Sequence, residues 1–546
     1  MYGVQKEQVG WYEATLPLQE RRSRGHFSTP PLLVERILDA CGYTPDKDLT
    51  GIRLLDPACG SGNFIVAAAR RLLSSTAHAR LPAQEIISLV QRNVWGFDPD
   101  PVSCFLAQMQ LSAAIENEVG TDQNITTPAT PTTLATSLHI HQADGLALPW
   151  REPCVDLFLA NPPYLAAKNT DLSGYRSAQQ RGQVDSYLLF LSLGLQIVRP
   201  HGWLGLVLPD PVLARTNAAT ERIHLLKAFT IHHLWHLSGV FSAQVGAVVI
   251  IAQKSPPKSQ HQLSWVREKW NHSLIPEIGR GVPQSLFLQQ PRAEFRYLLT
   301  TEQGPIIERL RTCLDETPGM PSRFVPLADF LSIRRGEELG RTSSYLIQHS
   351  MMTPAMGAIT CDGTHCRCHH GMYPILRGGK DIRPYGTPCG QWWIAREAIT
   401  KPLERYLSPK LLVVKSTGHL QATLDMQGHV ALQTLYLLHL KDKNGCADDL
   451  YFFLALLNSR LLQQYVYVLH TAYKWVQPQI EQHVLARLPV PTASLPEKQE
   501  IIARSKMLVR ACSESSTVVE WKEDIQNIYE VQERAIRTLY NSHLED

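Results

Sequence analysis

Residues 52–64 read IRLLDPACGSGNF, and this pattern predicts one corner of an α/β fold. The apolar run Ile52 to Leu55 is typical of a short buried strand, and it ends at Asp56. Gly60 and Gly62 form the turn that follows, where glycine lets the backbone approach a ligand closely. Apolar residues at helical spacing come next. A strand, a glycine turn and a helix in this order are typical of the nucleotide-binding corner of an open parallel sheet.

The chemistry of this turn differs from that of the common nucleotide-binding loops. It lacks the third glycine of the dinucleotide-binding pattern, and no Gly-Lys-Ser/Thr triplet follows as it does in a P-loop. Asp56, directly before the turn, suits a ligand with a cationic amino group better than one with a pyrophosphate. The structural alternative is an ordinary turn, which Gly60 and Gly62 alone do not exclude.

Three further predicted strands each lead to a polar residue: Val94–Phe97 to Asp98, Leu138–Gln142 to Asp144, and Val155–Ala160 to Asn161. Ligands of open α/β sheets bind at the carboxyl ends of the strands. Asp98 is placed to bind both hydroxyls of a ribose, and Asp144 to accept a hydrogen bond from an adenine amino group. Each aspartate alone could instead cap a helix. Their common position after strands, in phase with the glycine turn, favours the ligand role.

The tetrapeptide Asn161-Pro162-Pro163-Tyr164 supplies the groups that hold an amine on a flat ring. The Asn161 side-chain oxygen and the Pro162 carbonyl can accept its two N–H bonds, and Tyr164 can stack on the ring. Such an amine is a poor nucleophile because its lone pair is delocalised, and the two acceptors would draw the nitrogen toward a tetrahedral shape. Direct transfer then needs positioning and fixed dipoles, without a metal or a covalent intermediate. The structural alternative is a strand that ends in a Pro-Pro turn.

Three more candidate strands complete the predicted sheet: Trp203 to Leu208, Ile231 to Leu237, and Ala247 to Gln253. Helical patterns lie between most of the strands. The sequence therefore predicts an α/β domain with a mostly parallel seven-stranded sheet.

The residues Asp56 to Gly62 and Asn161 to Tyr164 resemble those of S-adenosylmethionine-dependent amino-methyltransferases that act on DNA adenine. The order of parts is similar to that of the gamma class, in particular the TaqI-like adenine-N6 enzymes. Gly25 to Pro31 resembles the cofactor-covering segment of that family, and Phe241 stands where the family places a second aromatic residue. The resemblance runs from about Gly25 to Pro491. It implies a Rossmann-like class I methyltransferase domain, an α+β target-recognition domain and C-terminal helices.

The resemblance also implies a role for each matching residue. S-adenosylmethionine would be the cofactor, held by these residues: Thr29, Asp56, Ala58, Gly60, Gly62, Asp98, Asp144 and Pro163. Asn161 and Pro162 would hold the N6 amine of an adenine, and Tyr164 and Phe241 would sandwich the base. Because N6 cannot be reached within a duplex, the adenine of double-stranded DNA would be flipped out.

The chain divides into four predicted segments. They are a catalytic domain (1–253), a linker or extension (254–320), a target-recognition domain (321–495) and a helical tail (496–546). In the third segment short strand-like runs alternate with basic turns, and Tyr451 to Leu469 predicts one apolar helix. The tail predicts two helices, Glu497–Cys512 and Val518–Leu544.

Six residues of the target-recognition segment are predicted to face DNA: Arg334, Arg335, Lys380, Lys415, Lys474 and Trp475. Phosphate contacts would position the duplex, and a few base-edge contacts would specify the site. Each basic residue could equally be a solvated surface charge, and the sequence does not separate the two roles.

One local cluster contains potential metal ligands: Cys361, His365, Cys366, Cys368 and His369. Soft ligands at this density can hold zinc. The spacing is too tight for a standard zinc finger, and a second Cys-x-x-Cys pair is missing. We therefore expect no metal site and keep zinc as the alternative.

The composition is that of an ordinary globular protein, with 546 residues, 44% hydrophobic and 19% charged residues, and a net charge of +3. So small a charge gives no global cationic field, and nucleic-acid contacts must come from local patches. No apolar stretch approaches the ~20 residues of a membrane span, and the first residues lack a signal-peptide core. The 11 cysteines are mostly scattered. We expect a cytoplasmic bacterial or archaeal protein without a membrane partner.

The favoured activity is site-specific methylation of adenine in DNA, within a restriction-modification or phage-defence system. Fewer than thirty residues precede the cofactor segment, so a restriction endonuclease or defence subunit would be a separate chain. A protein glutamine side chain and an RNA base stay open as other acceptors, because their amino groups pose the same chemical problem. The long C-terminal part favours DNA, since glutamine methyltransferases resemble a catalytic domain without a large additional module.

Overall fold

In the computed structural model the chain separates into two units, residues 1–300 and 301–546. Each unit has its own cluster of buried apolar side chains. The residues that the structure describes are 15, 17, 27–76, 81–119, 138–150, 152–165, 171–175, 184–241, 246–270, 277–279, 281–301, 304–314, 323–340, 342–348, 371–388, 390–442, 446–474, 478–514 and 523–544.

The described residues of the first unit form a ten-stranded sheet. Its strands are β1 Leu54–Asp56, β2 Val94–Asp98, β3 Ile140–Gln142, β4 Val155–Ala160, β5 Val198–Pro209, β6 Thr230–Ser238, β7 Ala247–Gln253, β8 Gln262–Lys269, β9 Glu277–Ile278 and β10 Val282–Pro283. The spatial order is β3-β2-β1-β4-β5-β7-β6-β8-β10, and β9 pairs with β8. Strands β1 to β5 pair in parallel, and β7 runs antiparallel between β5 and β6. The predicted α/β fold is confirmed.

The sheet has ten strands where seven were predicted. All seven predicted strands form, and β8, β9 and β10 extend the sheet beyond β6. Strand β8 pairs in parallel with β6, and its alternate residues Leu263 and Trp265 are buried against the first unit. Within the predicted segment 254–320, residues up to Thr300 therefore belong to the first unit, and the rest to the second.

In the described part of the first unit seven helices accompany the sheet: α1 Pro31–Ala40, α2 Asn63–Thr76, α3 Ala83–Asn93, α4 Pro101–Val119, α5 Ser186–Ile197, α6 Ala219–Ala228 and α7 Gln284–Gln289. Helix α1 buries one face, with Leu33, Val34, Ile37 and Leu38 turned inward. Helix α5 is apolar on every side and is buried nearly all round. Helices packed on the sheet leave the carboxyl ends of β1 to β4 as the place for a ligand.

The second unit contains three small sheets in its described residues. Its strands are β11 Phe324–Pro326, β12 Leu331–Arg335, β13 Leu346–Gln348, β14 Met372–Leu376, β15 Trp392–Ala395, β16 Lys410–Val414, β17 Ala422–Asp425, β18 Val430–Ala431, β19 Leu435–Leu440 and β20 Pro489–Pro491. The two larger sheets have the orders β12-β19-β16-β17 and β13-β15-β14-β18, and β11 pairs with β20. The predicted α+β character of this part is confirmed.

Eight helices lie in the described part of the second unit: α8 Gly304–Cys313, α9 Leu327–Phe330, α10 Glu404–Leu407, α11 Asp449–Asn458, α12 Arg460–Leu469, α13 Gln482–Ala486, α14 Leu495–Glu514 and α15 Glu523–Ser542. The two predicted tail helices correspond to α14 and α15. The predicted single helix from Tyr451 to Leu469 is instead two helices. No helix in the described ranges combines the length and the apolar character needed to cross a membrane.

The break between α11 and α12 has a tertiary cause. The Asn458 side chain pairs with the backbone of β17, accepting from Ala422 N at 2.9 Å and donating to Ala422 O at 3.0 Å. Ser459 then takes an extended conformation, and its hydroxyl caps α12 by accepting from Leu462 N. The Asn458 side chain thus takes the place of a neighbouring strand beside Ala422, and this contact prevents α11 and α12 from forming one continuous helix.

Candidate active site

Four polar side chains meet at one edge of the first sheet. Strands β1, β2, β3 and β4 run parallel, so their carboxyl ends lie side by side. Asp56 ends β1, Asp98 ends β2, Asp144 follows β3 and Asn161 follows β4. All four line a cavity of about 290 Å³. The predicted cofactor residues Thr29, Ala58, Gly60 and Pro163 line it as well.

The glycine turn connects two of the carboxylates through backbone bonds. Asp56 Oδ1 accepts the N–H of Ala58 at 3.0 Å, and Asp98 Oδ2 accepts the N–H of Gly60 at 3.0 Å. Gly60 has a φ of 52°, a conformation that suits glycine. The β1–α2 turn is therefore tied to the end of β2, and both acids point into the same space.

Gly62 has a packing role rather than a place in the cavity lining. Its φ is +96°, and a Cβ at this position would lie 2.9 Å from the Cβ of Ala107 in α4. The turn thus needs glycine here so that α2 can start close against α4. The sequence assigned Gly62 to cofactor binding, whereas in the described lining only Gly60 of the pair is present.

The environment of Asp56 favours a cationic ligand. Its side chain is 1% exposed. Burial raises the pKa of the Asp56 carboxyl to about 8, with the N–H of Ala58 opposing the shift and the charge of Asp98 adding to it. A buried carboxylate is stabilised by an opposite charge brought next to it. A ligand ammonium in this cavity would provide that charge.

Asp144 is held from two sides. Its Oδ1 accepts the N–H of Leu146 at 2.9 Å, and its Oδ2 accepts the hydroxyl of Tyr175 at 2.6 Å. Tyr175 also lines the cavity. No sequence pattern marked this residue, because it approaches Asp144 from a segment 31 positions away.

The Asn161 amide is oriented by the segment before α1. Its Nδ2 donates to the backbone oxygen of Phe27 at 2.9 Å. The same segment is fixed by Asn63, whose Nδ2 donates to Ser28 Oγ at 2.6 Å and to Thr29 O at 2.7 Å. With its nitrogen committed to Phe27, the Asn161 amide keeps its oxygen as the acceptor for a ligand. Gly25 and His26, also part of the predicted covering segment, lie outside the described residues.

Ser186, at the start of α5, shapes the loop after the Pro-Pro pair. Its hydroxyl donates to the Pro163 carbonyl and accepts from the N–H of Leu165 at 2.9 Å. One side chain thus satisfies two backbone groups, one within the tetrapeptide and one directly after it. No sequence pattern marked Ser186, because its partners Pro163 and Leu165 lie more than twenty positions earlier in the chain.

The two aromatic residues predicted to sandwich a base meet edge to face. The rings of Tyr164 and Phe241 have centroids 6.4 Å apart and an interplanar angle of 81°. Phe241 also touches Phe27, with centroids 6.1 Å apart, and the Tyr164 hydroxyl donates to Val207 O at 3.3 Å. A flat base between these residues requires parallel rings, so it would have to turn at least one of them. Pro162, Tyr164 and Phe241 lie beside the cavity rather than in its described lining.

Two of the predicted DNA-facing residues share a polar concavity in the second unit. We call it the polar concavity, and its volume is about 570 Å³. Its described lining consists of Arg335, Lys415, Tyr436, Gln479, Glu481, Gln482, His483 and Ala486. Strands β12, β19 and β16 pair antiparallel in this order. The end of β12, the start of β19 and the end of β16 therefore lie at the same sheet edge, which brings Arg335, Tyr436 and Lys415 together.

The remaining predicted DNA-facing residues have other surroundings. Lys474 forms an exposed ion pair with Glu481, with Nζ and Oε1 2.5 Å apart, so it lies at the rim of the polar concavity. Arg334 and Lys380 are exposed. Arg334 and Arg335 are consecutive residues of β12, and their side chains therefore point to opposite faces. Trp475 lies outside the described residues.

No metal-binding site is present among the described residues. The described residues contain no group of three or more His, Cys, Asp or Glu side chains that could hold an ion. The predicted alternative, the cluster from Cys361 to His369, lies outside the described residues, so zinc there remains untested.

Comparison with protein families gives two matches that divide the chain as the two units do. Residues 11–271 match the family described as N-6 DNA Methylase. Residues 373–490 match the TaqI-like C-terminal specificity domain. The first match contains every predicted cofactor and catalytic residue. The second contains the edge of β16 with Lys415, and the segment 478–486.

Two curated proteins that this chain resembles are Type II methyltransferases. The chain is 24% identical over 253 residues to Type II methyltransferase M.BstVI of Geobacillus stearothermophilus, covering 44% of each chain. It is 29% identical over 217 residues to Type II methyltransferase M.PaeR7I of Pseudomonas aeruginosa, covering 37% of this chain and 36% of the relative. The matches thus span less than half of either relative.

A solved structure shares the fold over nearly the whole chain. It is the Type IIL restriction-modification enzyme MmeI in complex with DNA, with a TM-score of 0.61 and 11% identity, covering 97% of this chain and 78% of that chain. At this identity the likeness concerns the fold alone.

Proposed function

Because this chain belongs to the N-6 DNA methylase family and carries a TaqI-like specificity domain, we propose that it methylates the N6 amine of adenine in double-stranded DNA. The methyl donor would be S-adenosylmethionine, which supplies an activated methyl group on a sulfonium. The setting would be a restriction-modification or phage-defence system, with any restriction endonuclease as a separate chain.

One observation carries the proposal. The Asn161 amide lines the same cavity as the three strand-end carboxylates, and its nitrogen is committed to Phe27 O at 2.9 Å. The amide therefore presents a fixed acceptor where an amine would meet the donor. The Pro162 carbonyl would accept the second N–H. Fixed dipoles of this kind need no reorganisation during reaction.

The cavity residues fit the proposed donor. Asp56, buried and with a raised pKa, would pair with the ammonium of the donor's methionine part. Asp98 would hold the ribose hydroxyls, and Asp144 the adenine amine. Thr29, Ala58, Gly60 and Pro163 would complete the cavity around it. Gly62 would act through its packing on α4 and keep the turn in place.

The target base would be held at the tetrapeptide. Asn161 and Pro162 would accept the N6 hydrogens of an adenine flipped out of the duplex. Tyr164 and Phe241 would contact its faces after at least one ring turns from the edge-to-face arrangement. Stacking on an aromatic ring returns roughly 1–3 kcal/mol per base, which offsets part of the unstacking.

The second unit would bind the DNA around the target. The polar concavity combines cations (Arg335, Lys415) with amides (Gln479, Gln482). Arginine and amide side chains are the groups that read guanine and adenine edges in the major groove. Lys474, beside Glu481 of the polar concavity, would contact a phosphate, and so would the exposed Lys380.

A transfer assay tests the proposal. Purified protein with methyl-labelled S-adenosylmethionine is offered duplex DNA from an unmethylated host, structured RNA and a glutamine-containing polypeptide in parallel. Label on DNA that digestion identifies as N6-methyladenine supports the proposal. Label on the polypeptide or the RNA alone would overturn it. Sequencing host DNA with and without the gene then gives the recognition sequence.

A further inference from the structure

Tyr175 lines the same cavity as the three strand-end carboxylates and contacts one of them directly. Its hydroxyl donates a 2.6 Å hydrogen bond to Oδ2 of Asp144. This bond raises the pKa of the Tyr175 phenol, with burial adding to the shift. Asp144 Oδ1 is bound separately by the N–H of Leu146 at 2.9 Å. The carboxylate is therefore fixed in orientation.

Tyr175 is presented by a short helical turn. Residues Ser173–Tyr175 form this turn, and the N–H of Tyr175 donates to Leu172 O at 3.2 Å. Asp171 Oδ1 accepts the N–H of Ser173 at 3.0 Å. Leu172 is 8% exposed and lines the cavity together with Asp171. The turn is thus anchored on the cavity wall, and the Tyr175 ring, 39% exposed, lies at its mouth.

We propose that Tyr175 is a donor-binding residue which, together with Asp144, recognises the exocyclic amine of the donor's adenine. This rests on the proposed function. A phenol that donates its hydrogen to Asp144 keeps lone pairs with which it can accept, and a carboxylate can accept more than two hydrogen bonds. The pair therefore offers two acceptors, one on each residue, to an amine with two N–H donors.

The same arrangement disfavours a donor with a different purine. The only hydroxyl hydrogen of Tyr175 is committed to Asp144, so the pair has no donor left for a carbonyl oxygen at purine position 6. A hypoxanthine would place an oxygen against two acceptors, and sites that leave polar groups without partners reject such analogues. The Tyr175–Asp144 pair thus sets the purine specificity of the donor cavity.

Calorimetry with two ligands tests this assignment. The probes are S-adenosylhomocysteine and its 6-oxo analogue S-inosylhomocysteine, titrated into the full chain and into the variants Tyr175→Phe and Tyr175→Ala. Tyr43→Phe is the matched control, because Tyr43 is a buried tyrosine of the same unit outside the cavity lining. The wild type is expected to prefer S-adenosylhomocysteine.

Tyr175→Phe is expected to weaken S-adenosylhomocysteine about fivefold, the size of one hydrogen bond, without weakening S-inosylhomocysteine. The preference between the two ligands then shrinks, whereas Tyr43→Phe leaves it unchanged. If Tyr175→Phe weakens both ligands equally, or neither, Tyr175 has no part in amine recognition and only this inference fails. If the wild type binds neither ligand, the proposed donor site itself is wrong.

Discussion

The side-chain nitrogen of Asn161 donates a 2.9 Å hydrogen bond to the backbone oxygen of Phe27, 134 positions earlier in the chain. The bond decides which end of the amide is presented to a ligand. It also couples the segment before α1 to the carboxyl end of β4. A carboxylate at position 161 would place an oxygen against the Phe27 oxygen, so the site distinguishes asparagine from aspartate.

Replacing Asn161 tests its place in the transfer step. Asn161→Ala removes a preorganised acceptor, and we expect single-turnover methylation to fall by about 10²-fold or more. Binding of S-adenosylhomocysteine, measured by calorimetry, should stay near the wild-type value. Asn93→Ala is the control, because Asn93 also donates to a backbone oxygen, Thr50 O at 2.8 Å, and lies away from the cavity. Donor affinity lost together with the rate would contradict the role assigned to Asn161.

Asp56 should make stability depend on pH. Its pKa is raised to about 8 in the folded chain, whereas an unfolded aspartate titrates near 3.9. The folded state thus binds the Asp56 proton more tightly than the unfolded state does. The contribution of protonated Asp56 to the free energy of unfolding is therefore lost as pH rises from about 4 through 8. Asp56→Asn cannot lose this proton, so without donor its melting temperature should exceed that of the wild type at pH 8. At pH 5 the difference in melting temperature should be smaller. Equal differences at both pH values would show that Asp56 is not protonated in the fold.

Ser186 should affect turnover more than donor binding. Ser186→Ala removes the partner of Leu165 N–H and of the Pro163 carbonyl, and we expect a loss of about 1–2 kcal/mol in the free energy of unfolding. The loop after the tetrapeptide would loosen, so kcat should fall while the affinity for S-adenosylhomocysteine changes little. Urea unfolding and steady-state kinetics measure both quantities. Ser75→Ala, which removes only a bond to Leu72 O within α2, should leave kcat unchanged.

Gly62 should tolerate no side chain. Gly62→Ala places a Cβ 2.9 Å from that of Ala107 at a φ of +96°, and we expect a loss of about 1–3 kcal/mol in the free energy of unfolding. Gly51→Ala is the control, since a Cβ at Gly51 meets nothing within 4 Å, and its effect should stay within about 0.5 kcal/mol. Similar losses for both variants in denaturant titrations would argue against the packing role of Gly62.

Arg335 and Lys415 are the arginine and lysine side chains in the described lining of the polar concavity. If they contact phosphates, their contribution to DNA affinity should decrease as the salt concentration rises. Removing one phosphate contact lowers the slope of log affinity against log salt by about 1. Lys415→Ala and Arg335→Ala are compared with Arg537→Ala, an exposed cation on α15, in binding assays on duplexes at several salt concentrations. A base-reading cation would instead relax the recognition sequence at one position. Variants that match Arg537→Ala in both assays would place the DNA elsewhere.

The sequence predicted those parts of the candidate site that a local pattern of residues defines. A strand pattern followed by a polar residue marks both a strand and its end, so Asp56, Asp98, Asp144 and Asn161 could be placed together from the sequence alone. Parallel pairing of β1 to β4 then brings them to one cavity. The residues predicted to bind the cofactor line this cavity, with Gly62 as the exception.

The contacts that the sequence did not predict join residues that are distant along the chain. Tyr175 and Ser186 were not predicted, and neither was the bond between Phe27 and Asn161. All three residues act through hydrogen bonds to residues far along the chain, and no spacing rule predicts such partners. The break at Ser459 has the same origin, because Asn458 pairs with a strand 36 positions earlier. The mutual angle of two rings likewise depends on packing, which explains why the edge-to-face contact of Tyr164 and Phe241 was not foreseen.

The short strands at the two ends of the first sheet limit what can add to it. Among the described strands β3 has three residues and β10 has two, with Pro283 in the outermost position. A proline has no amide hydrogen to offer, and a strand of two or three residues is a poor template for another chain. We therefore expect the extension by β8 to β10 to disfavour edge-to-edge association of this sheet at high protein concentration.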